Sequence, residues 1–275
     1  MRRRKEQSLH SDFELIQHQF YGGHDIKIYP LFDLHFGAEE CMEEQIEAFV
    51  DFIAGQDNAY VVIGGDLCDN GVKNSITNVY RQKYMPGEQK RRVANLLEPI
   101  RGRILCGVPG NHEHRSERET DTYVMYDIMS KLDLEDLYRE NIAFVKIQMG
   151  LPETENGSAR RGDRRPTYVL VVTHGSGGGI YTGAAVNRNE RFGYVIDGMD
   201  ALIVGHVHKP FTSQPGKIYI DRQNNQVSVK PFKVISATSW LEYGGYAVRK
   251  MLLPATHNLQ TLTLSGKRKE LTVTM

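Results

Sequence analysis

Five short blocks of the chain carry side chains that bind metal ions. They are Asp33-Leu34-His35, Gly65-Asp66-Leu67-Cys68-Asp69, Gly110-Asn111-His112-Glu113, His174-Gly175 and Gly205-His206-Val207-His208. The chain has 10 histidines, and five of them fall in these blocks. The donors are carboxylate, imidazole and amide oxygen without a thiolate, a set that suits hard or borderline divalent ions. There are too many donors for one ion. Two ions about 3.5–4 Å apart, bridged by a carboxylate, would use them all. A pair of cations so placed lowers the pKa of a shared water enough for hydroxide to exist near neutrality. One such block alone is usually a turn or a satisfied histidine. Five in order are a strong signal.

Each block closes an apolar run of strand length, at residues 26–32, 59–63, 103–108, 168–173 and 201–204. The runs are rich in Val, Ile, Leu and Tyr and lack polar alternation, as strands buried on both faces do. Five strands pointing the same way would bring the blocks together, because the loops at the carboxyl ends of an open α/β sheet form its ligand crevice. Helical spacing fills the gaps. It predicts helices over 38–54 (Met42, Ile46, Phe49, Val50, Ile53), over 88–100 (Val93, Leu96, Leu97, Ile100) and over 122–138 (Val124, Ile128, Met129, Leu132, Leu137). The alternation of strand and helix predicts an α/β fold. From residue 217 the pattern changes to strand-like pieces at 217–221, 226–230, 232–236 and 261–264, which predicts a second, mostly antiparallel set of strands. Residues 1–20 read as a polar, basic arm with a short helix around Phe13, Ile16 and Phe20. Residues 21–275 read as a single domain with a basic loop insertion at about 152–166.

Composition narrows the classes. A chain of 275 residues buries roughly three quarters of its unfolded surface and needs no disulfide to fold. Its three cysteines, Cys41, Cys68 and Cys106, are odd in number and form no C-x-x-C pair. They read as small buried hydrophobes in a reducing cytoplasm. The 34 Lys+Arg balance 34 Asp+Glu, which argues against a surface coated for nucleic acid but leaves room for local patches. No apolar run approaches the ~18 residues of a membrane span. No apolar stretch follows the basic residues 1–5, so a secretory signal is not expected.

In their order and spacing the five blocks resemble the calcineurin-like metallophosphoesterases, whose pattern is D-x-H, G-D-x-x-D, G-N-H-[DE], H and G-H-x-H. The resemblance covers roughly residues 26–240. It implies a sandwich of two β-sheets flanked by helices (α/β/β/α) with a dinuclear metal site at the strand ends. By the same resemblance, Asp33, His35 and His208 would hold one ion, and Asn111, His174 and His206 the other. Asp66 would bridge them. His112 would protonate the leaving oxygen as a general acid, and Asp69 would orient it. The reaction implied is hydrolysis of a phosphoester by in-line attack of a metal-bridging hydroxide. The ions expected are two divalent metals, Mn²⁺ foremost, with Fe²⁺, Zn²⁺ or Ni²⁺ as alternatives.

Local features bear on the substrate. Asp33-Leu34-His35-Phe36-Gly37 is similar to the opening of the repair-nuclease and exonuclease branch. Val108-Pro109-Gly110-Asn111-His112 is similar to the phosphodiesterase branches. The serine/threonine protein phosphatases carry an arginine after the second Asp of the second block, where this chain has Asn70. Glu113 departs the other way, since nucleases and cyclic-nucleotide enzymes usually have Asp there. The balance favours a phosphodiesterase over a phosphomonoesterase or protein phosphatase. A non-catalytic metal-stabilised scaffold is the remote alternative, since no ligand is missing. Two basic segments, Arg2-Arg3-Arg4-Lys5 and the group Arg160, Arg161, Arg164 and Arg165, could neutralise backbone phosphates of DNA or RNA. Solvated surface accounts for them equally well. Arg115 and Arg118 are candidate phosphate contacts. The chain after His208 is too short for the capping domain of repair nucleases. Trp240, Tyr243 and Tyr246 read as core-edge aromatics rather than a base platform, and His114 as solvent-facing.

Overall fold

The structure is a computed structural model, and it describes residues 12–75, 79–151, 165–177, 179 and 181–275. Its strands are β1 (Leu15–Tyr21), β2 (Ile26–Leu31), β3 (Ala59–Ile63), β4 (Ile104–Gly107), β5 (Ile142–Leu151), β6 (Thr167–Thr173), β7 (Ala201–Val204), β8 (Phe211–Ser213), β9 (Gly216–Asp221), β10 (Gln226–Pro231), β11 (Lys233–Ser236), β12 (Thr261–Leu264) and β13 (Leu271–Thr274). Its helices are α1 (Glu43–Ala54), α2 (Pro86–Leu97), α3 (Glu113–Thr120), α4 (Val124–Lys131), α5 (Thr182–Val195) and α6 (Gly245–Arg249).

The apolar runs are apolar throughout because both faces of each strand are covered. In β3, Val61 and Ile63 face a core shared with α1, α2 and α4, while Val62 faces the opposite sheet. In β6, Tyr168, Leu170 and Val172 point between the sheets, and Val171 points to the outer layer under α5. The result is four layers, helix, sheet, sheet and helix, with the inter-sheet core at the centre. One sheet has the order β13-β12-β2-β3-β4, the other β1-β5-β6-β7-β11-β8. This is the α/β/β/α sandwich that the motifs implied.

The five donor-bearing strands do not share one sheet. β2, β3 and β4 run parallel in the first, and β6 and β7 run parallel in the second. Two sets of carboxyl ends therefore face each other across the sandwich edge.

Several expectations are corrected. The segment around Phe13, Ile16 and Phe20 is not a helix: Leu15–Tyr21 is an edge strand paired in parallel with β5. The spacing 13, 16, 20 fits a helix, but the 16, 18, 20 alternation is what the sheet uses, with Ile16 buried and Leu15 and Tyr21 exposed. The strands after residue 217 do not form one separate antiparallel set: only β9 and β10 pair apart from the two sheets. β11 joins the second sheet in parallel with β7, and β12 joins the first in antiparallel with β2. The helix expected over 122–138 ends at Lys131 and is followed by a short 3-10 turn at Glu135–Leu137. Of the basic segments, residues 2–5 and Arg160, Arg161 and Arg164 lie outside the described residues. Among the described residues, no helix is long and apolar enough to cross a membrane. All three cysteines are buried and free. Burial pushes the Cys41 and Cys106 thiols up to about 12, so neither is a nucleophile.

Candidate metal centre

The loops after β2, β3 and β7 carry their donors on a strained backbone. Asp33, His35, Asp66, Asn70, His206 and His208 all have positive φ, between 44° and 70°. Only four other described non-glycine residues do so, Asp121, Asp133, Asn225 and Met251. Left-handed backbone at six clustered polar residues marks a site that the surrounding fold over-determines. Two glycines make the close approach feasible. A Cβ on Gly110 would lie 2.1 Å from Asp66 Oδ1, and one on Gly205 would lie 2.6 Å from Asp33 Oδ2.

The donors fall into overlapping clusters. Asp33, His35 and His208 form one, and Asp66, His174 and His206 another; His35 is also grouped with Asp69 and His112. Asn111 joins the second, its Oδ1 lying 2.7 Å from His206 Nδ1 and 3.1 Å from His174 Nε2. Asp66 stands between the two. Its Oδ2 is 3.4 Å from His174 Nε2 and 3.8 Å from His35 Nε2.

The residues fit a pair of cations. Asp33 Oδ2 accepts the His206 backbone N–H at 2.9 Å, whereas its fully buried Oδ1 has no hydrogen-bond partner. An orphaned buried carboxylate oxygen is costly unless a cation faces it. His35 Nε2 and His208 Nε2 are 3.1 Å apart, and His206 Nδ1 and His174 Nε2 are 3.2 Å apart. Converging imidazole nitrogens of this kind could share a cation. His174 Nδ1 donates to Gly64 O at 2.8 Å, which turns Nε2 towards Asp66 and Asn111.

The charges on these groups are set by each other. Burial alone would raise the Asp66 carboxyl, but the imidazoles of His112, His174 and His35 outweigh it and hold it well below the usual range. Burial opposes a charge on His174, yet Asp66 beside it lifts the imidazole to about 10. Burial, reinforced by His112, drives His35 well down. A cation entering at His174 therefore displaces a proton, and its affinity rises with pH.

His112 lies just beyond the donors, its Nε2 at 3.8 Å from Asp66 Oδ2. Its orienting bond runs from Nδ1 to the Asp69 carbonyl at 2.7 Å, and the Asp69 carboxylate is farther, at 3.4 Å. Burial lowers its pKa, but Asp66 and Asp69 prevail and raise it. Arg115 reaches back along α3 and places its guanidinium 2.7 Å from His112 Nε2. Arg118 does not enter the site: it bonds to His114 O on the outer side of α3. His114 is partly exposed and paired with Glu117. Trp240 is buried against Phe49, whereas half-exposed Tyr243 bonds to Leu252 O.

Three buried partners have roles that the sequence alone does not show: Glu113, Asn70 and Gln89. Glu113 accepts the N–H groups of Asp66 and Gly110 at 2.8 Å each and that of Cys68 at 3.1 Å. It therefore clamps the strained backbone of the central carboxylate. Asn70 donates to the His112 carbonyl at 2.6 Å and accepts from Ser116 at 3.0 Å, while buried Gln89 accepts the Asn70 N–H at 2.8 Å. The only signal of the clamp in the sequence was an acid directly after His112. Glu113→Gln turns an amide NH₂ towards backbone donors, and the fold should lose about 2–3 kcal/mol. Denaturant unfolding should show this loss, and calorimetric titration should show weaker Mn²⁺ binding.

The centre opens into a cavity of about 590 Å³. One side is the donor set with His112 and Arg115. The rest of the lining mixes an apolar group, Leu241, Tyr243, Ala247, Leu252 and Leu253, with charged Glu39, Glu40, Arg81, Lys209, Glu242 and Arg249. A model of the calcineurin-like phosphoesterase family matches residues 33–210. No curated protein sequence matches the chain. Among solved structures, the chain is similar to a predicted phosphoesterase of Streptococcus pneumoniae (12% identity, TM-score 0.36, covering 91% of this chain and 98% of that one). It is also similar to the NAD nucleotidase of Haemophilus influenzae (10%, TM-score 0.42, covering 93% of this chain and 50% of that one). A third is the calcineurin-like phosphoesterase YfkN of Bacillus subtilis (11%, TM-score 0.37, covering 88% and 85%). The chain thus spans about half the length of the nucleotidase.

Proposed function

The chain belongs to the calcineurin-like phosphoesterase family, and on that premise we propose that it is a phosphodiesterase using two divalent ions, with Mn²⁺ foremost, on a nucleotide or nucleic-acid diester. The observation that carries this reading is the position of Asp66 Oδ2 between the two donor clusters, with the His112 imidazole beside it. Asp33, His35 and His208 would hold one ion, Asn111, His174 and His206 the other, and Asp66 both. When bound, the ions supply Lewis acidity for the phosphate and for the attacking water.

The chain's own groups do the rest. Asp69 O fixes the His112 ring so that Nε2 points to the site, and from there it delivers a proton to the leaving oxygen. Arg115 donates to that nitrogen in the present arrangement, so Nε2 carries no proton there. Arg115 has to swing away before the leaving oxygen arrives, which frees its fork for a phosphate oxygen and lets Nε2 take up a proton from solvent, as Asp66 and Asp69 favour. A diester carries one negative charge, and Arg115 is the cation beside His112, with Arg81, Lys209 and Arg249 elsewhere on the cavity lining. At Asn70, where protein phosphatases carry a second cation, the amide is fully buried and engaged with His112 and Ser116. The apolar group of the lining suits the organic group of the diester.

The test is hydrolysis of bis-nitrophenyl phosphate, nitrophenyl phosphate, 2′,3′-cyclic nucleotide and oligonucleotides by Mn²⁺-loaded protein. The expected result is faster turnover of the bis-ester than of the mono-ester, at least ~10-fold, as a site built for one negative charge implies. The reverse order would establish a monoesterase. Oligonucleotide cleavage that falls with salt would establish a nuclease. Two bound ions with no turnover of any ester would leave a scaffold.

A further inference from the structure

Strands β8 to β11 hold one register. Ile235 pairs with Thr212 and Val234 with Ser213 in the sheet, and Pro231 pairs with Gly216 and Gln226 with Asp221 beyond it. The Phe232 N–H bonds to Pro215 O in the same register. The four strands are therefore one long antiparallel ribbon. Its inner half is the edge of the six-stranded sheet. Its outer half, β9 with β10, pairs with no other strand. Because β11 ends beside Val204 at the metal centre, the outer half projects from the opposite end of the sheet.

Alternation along the ribbon sorts its faces. Phe232 and Val234 face the core under α5. Ile235 is on the other face, and counting back by twos puts Val229 and Val227 there too. Their cross-strand partners are Ile218 and Ile220. These four are 66–77% exposed. The reverse face is polar: Lys217, Tyr219, Ser228 and Lys230, with the Lys230 ammonium 3.0 Å from the Tyr219 ring centroid. The Lys233–Gln214 pair separates the apolar patch from the inter-sheet core, so the patch is a distinct surface. A two-stranded ribbon standing alone is marginal in water, and four clustered β-branched side chains are a binding face.

Among the described residues, nothing covers the patch. In the sequence that follows β5, residues 152–164, the only apolar members are Pro152 and Ala159. Residues 1–11 precede β1, which lies at the far edge of the sheet and starts at the metal-centre end. The patch is self-complementary. It consists of two Ile–Val pairs, and a two-fold axis sets the same pairs against each other. At these exposures the four residues present roughly 500 Å², so two arms face to face cover roughly 1,000 Å², the area at which specific association begins.

We propose that this arm is a homodimerisation surface, occupied by the same arm of a second copy, with both metal centres left open at the far ends. The test is light scattering and sedimentation of the metal-loaded chain at ~100 µM, high enough to populate a weak dimer of small interface area. The expected mass is twice 31.3 kDa, falling to 31.3 kDa in the double variant Ile218→Ser, Val229→Ser. Turnover should be unchanged, since neither residue is near the donors. Val227→Cys should form a disulfide between copies on oxidation, whereas Ser228→Cys, on the polar face, should not. The native cysteines are buried and add no background. A monomeric wild-type chain would overturn the proposal and leave the arm to a different protein. So would a dimer that survives the double substitution, or equal crosslinking from positions 227 and 228.

Discussion

Asp66→Asn is expected to lower metal-dependent turnover by at least ~10³-fold, more than the loss of a single charge-stabilising donor. The size of the loss follows from how many tasks meet at one side chain. Asp66 Oδ2 faces His174 and His35, one from each donor cluster, and Oδ1 accepts the His112 backbone N–H at 2.8 Å. An amide of the same shape has no charge and one acceptor atom instead of two. It can keep the bond to His112 or face the ions, but not both. Metal analysis after desalting should show fewer than two ions per chain, and circular dichroism should show an intact fold. If Asp66→Asn retained both ions and its rate, the bridging role would be lost.

His112→Asn should behave differently. The imidazole stands outside both donor clusters assigned to the ions, so two ions should still bind. Turnover should fall by roughly 10²–10⁴, the worth of a positioned acid. The loss should depend on the alcohol released. A nitrophenolate leaves without a proton and should be only modestly affected, whereas an alkoxide needs the proton and should show the full effect. Comparing kcat for bis-nitrophenyl phosphate and an alkyl nucleotide diester measures this directly. An equal loss on both would assign His112 to positioning alone.

The strands that carry the donors could be read in the sequence because burial on both faces leaves an unbroken apolar run. Ala59–Ile63 and Ala201–Val204 are bounded as expected. Their distribution over two sheets had no local trace, because parallel pairing joins residues far apart in the chain. β1 shows the same limit: its partner β5 lies more than 120 positions away, and spacing alone favoured a helix. Helix α5 was passed over because the face it buries is Ala185, Asn189 and Gly193, which makes no apolar stripe. At the site, donors were legible through their types and order. Glu113, Asn70 and Gln89 were not, since a buried polar residue that satisfies backbone groups resembles a surface residue until the fold is known. Arg118 illustrates the converse. It sits three positions after Arg115, but its side chain bonds to His114 O rather than turning to the site.

The left-handed residues around the centre have a consequence for the protein's history. Glycine would relax each of the six positions by roughly 1 kcal/mol or more, so a lineage selected only for heat tolerance would drift towards glycine there. A lineage selected for turnover cannot, because Asp33, His35, Asp66, His206 and His208 would lose their donors with their side chains. The two pressures oppose each other at the same codons. Aspartate and histidine in such a backbone cost fold stability at these positions, and the proposed donor role is what offsets it.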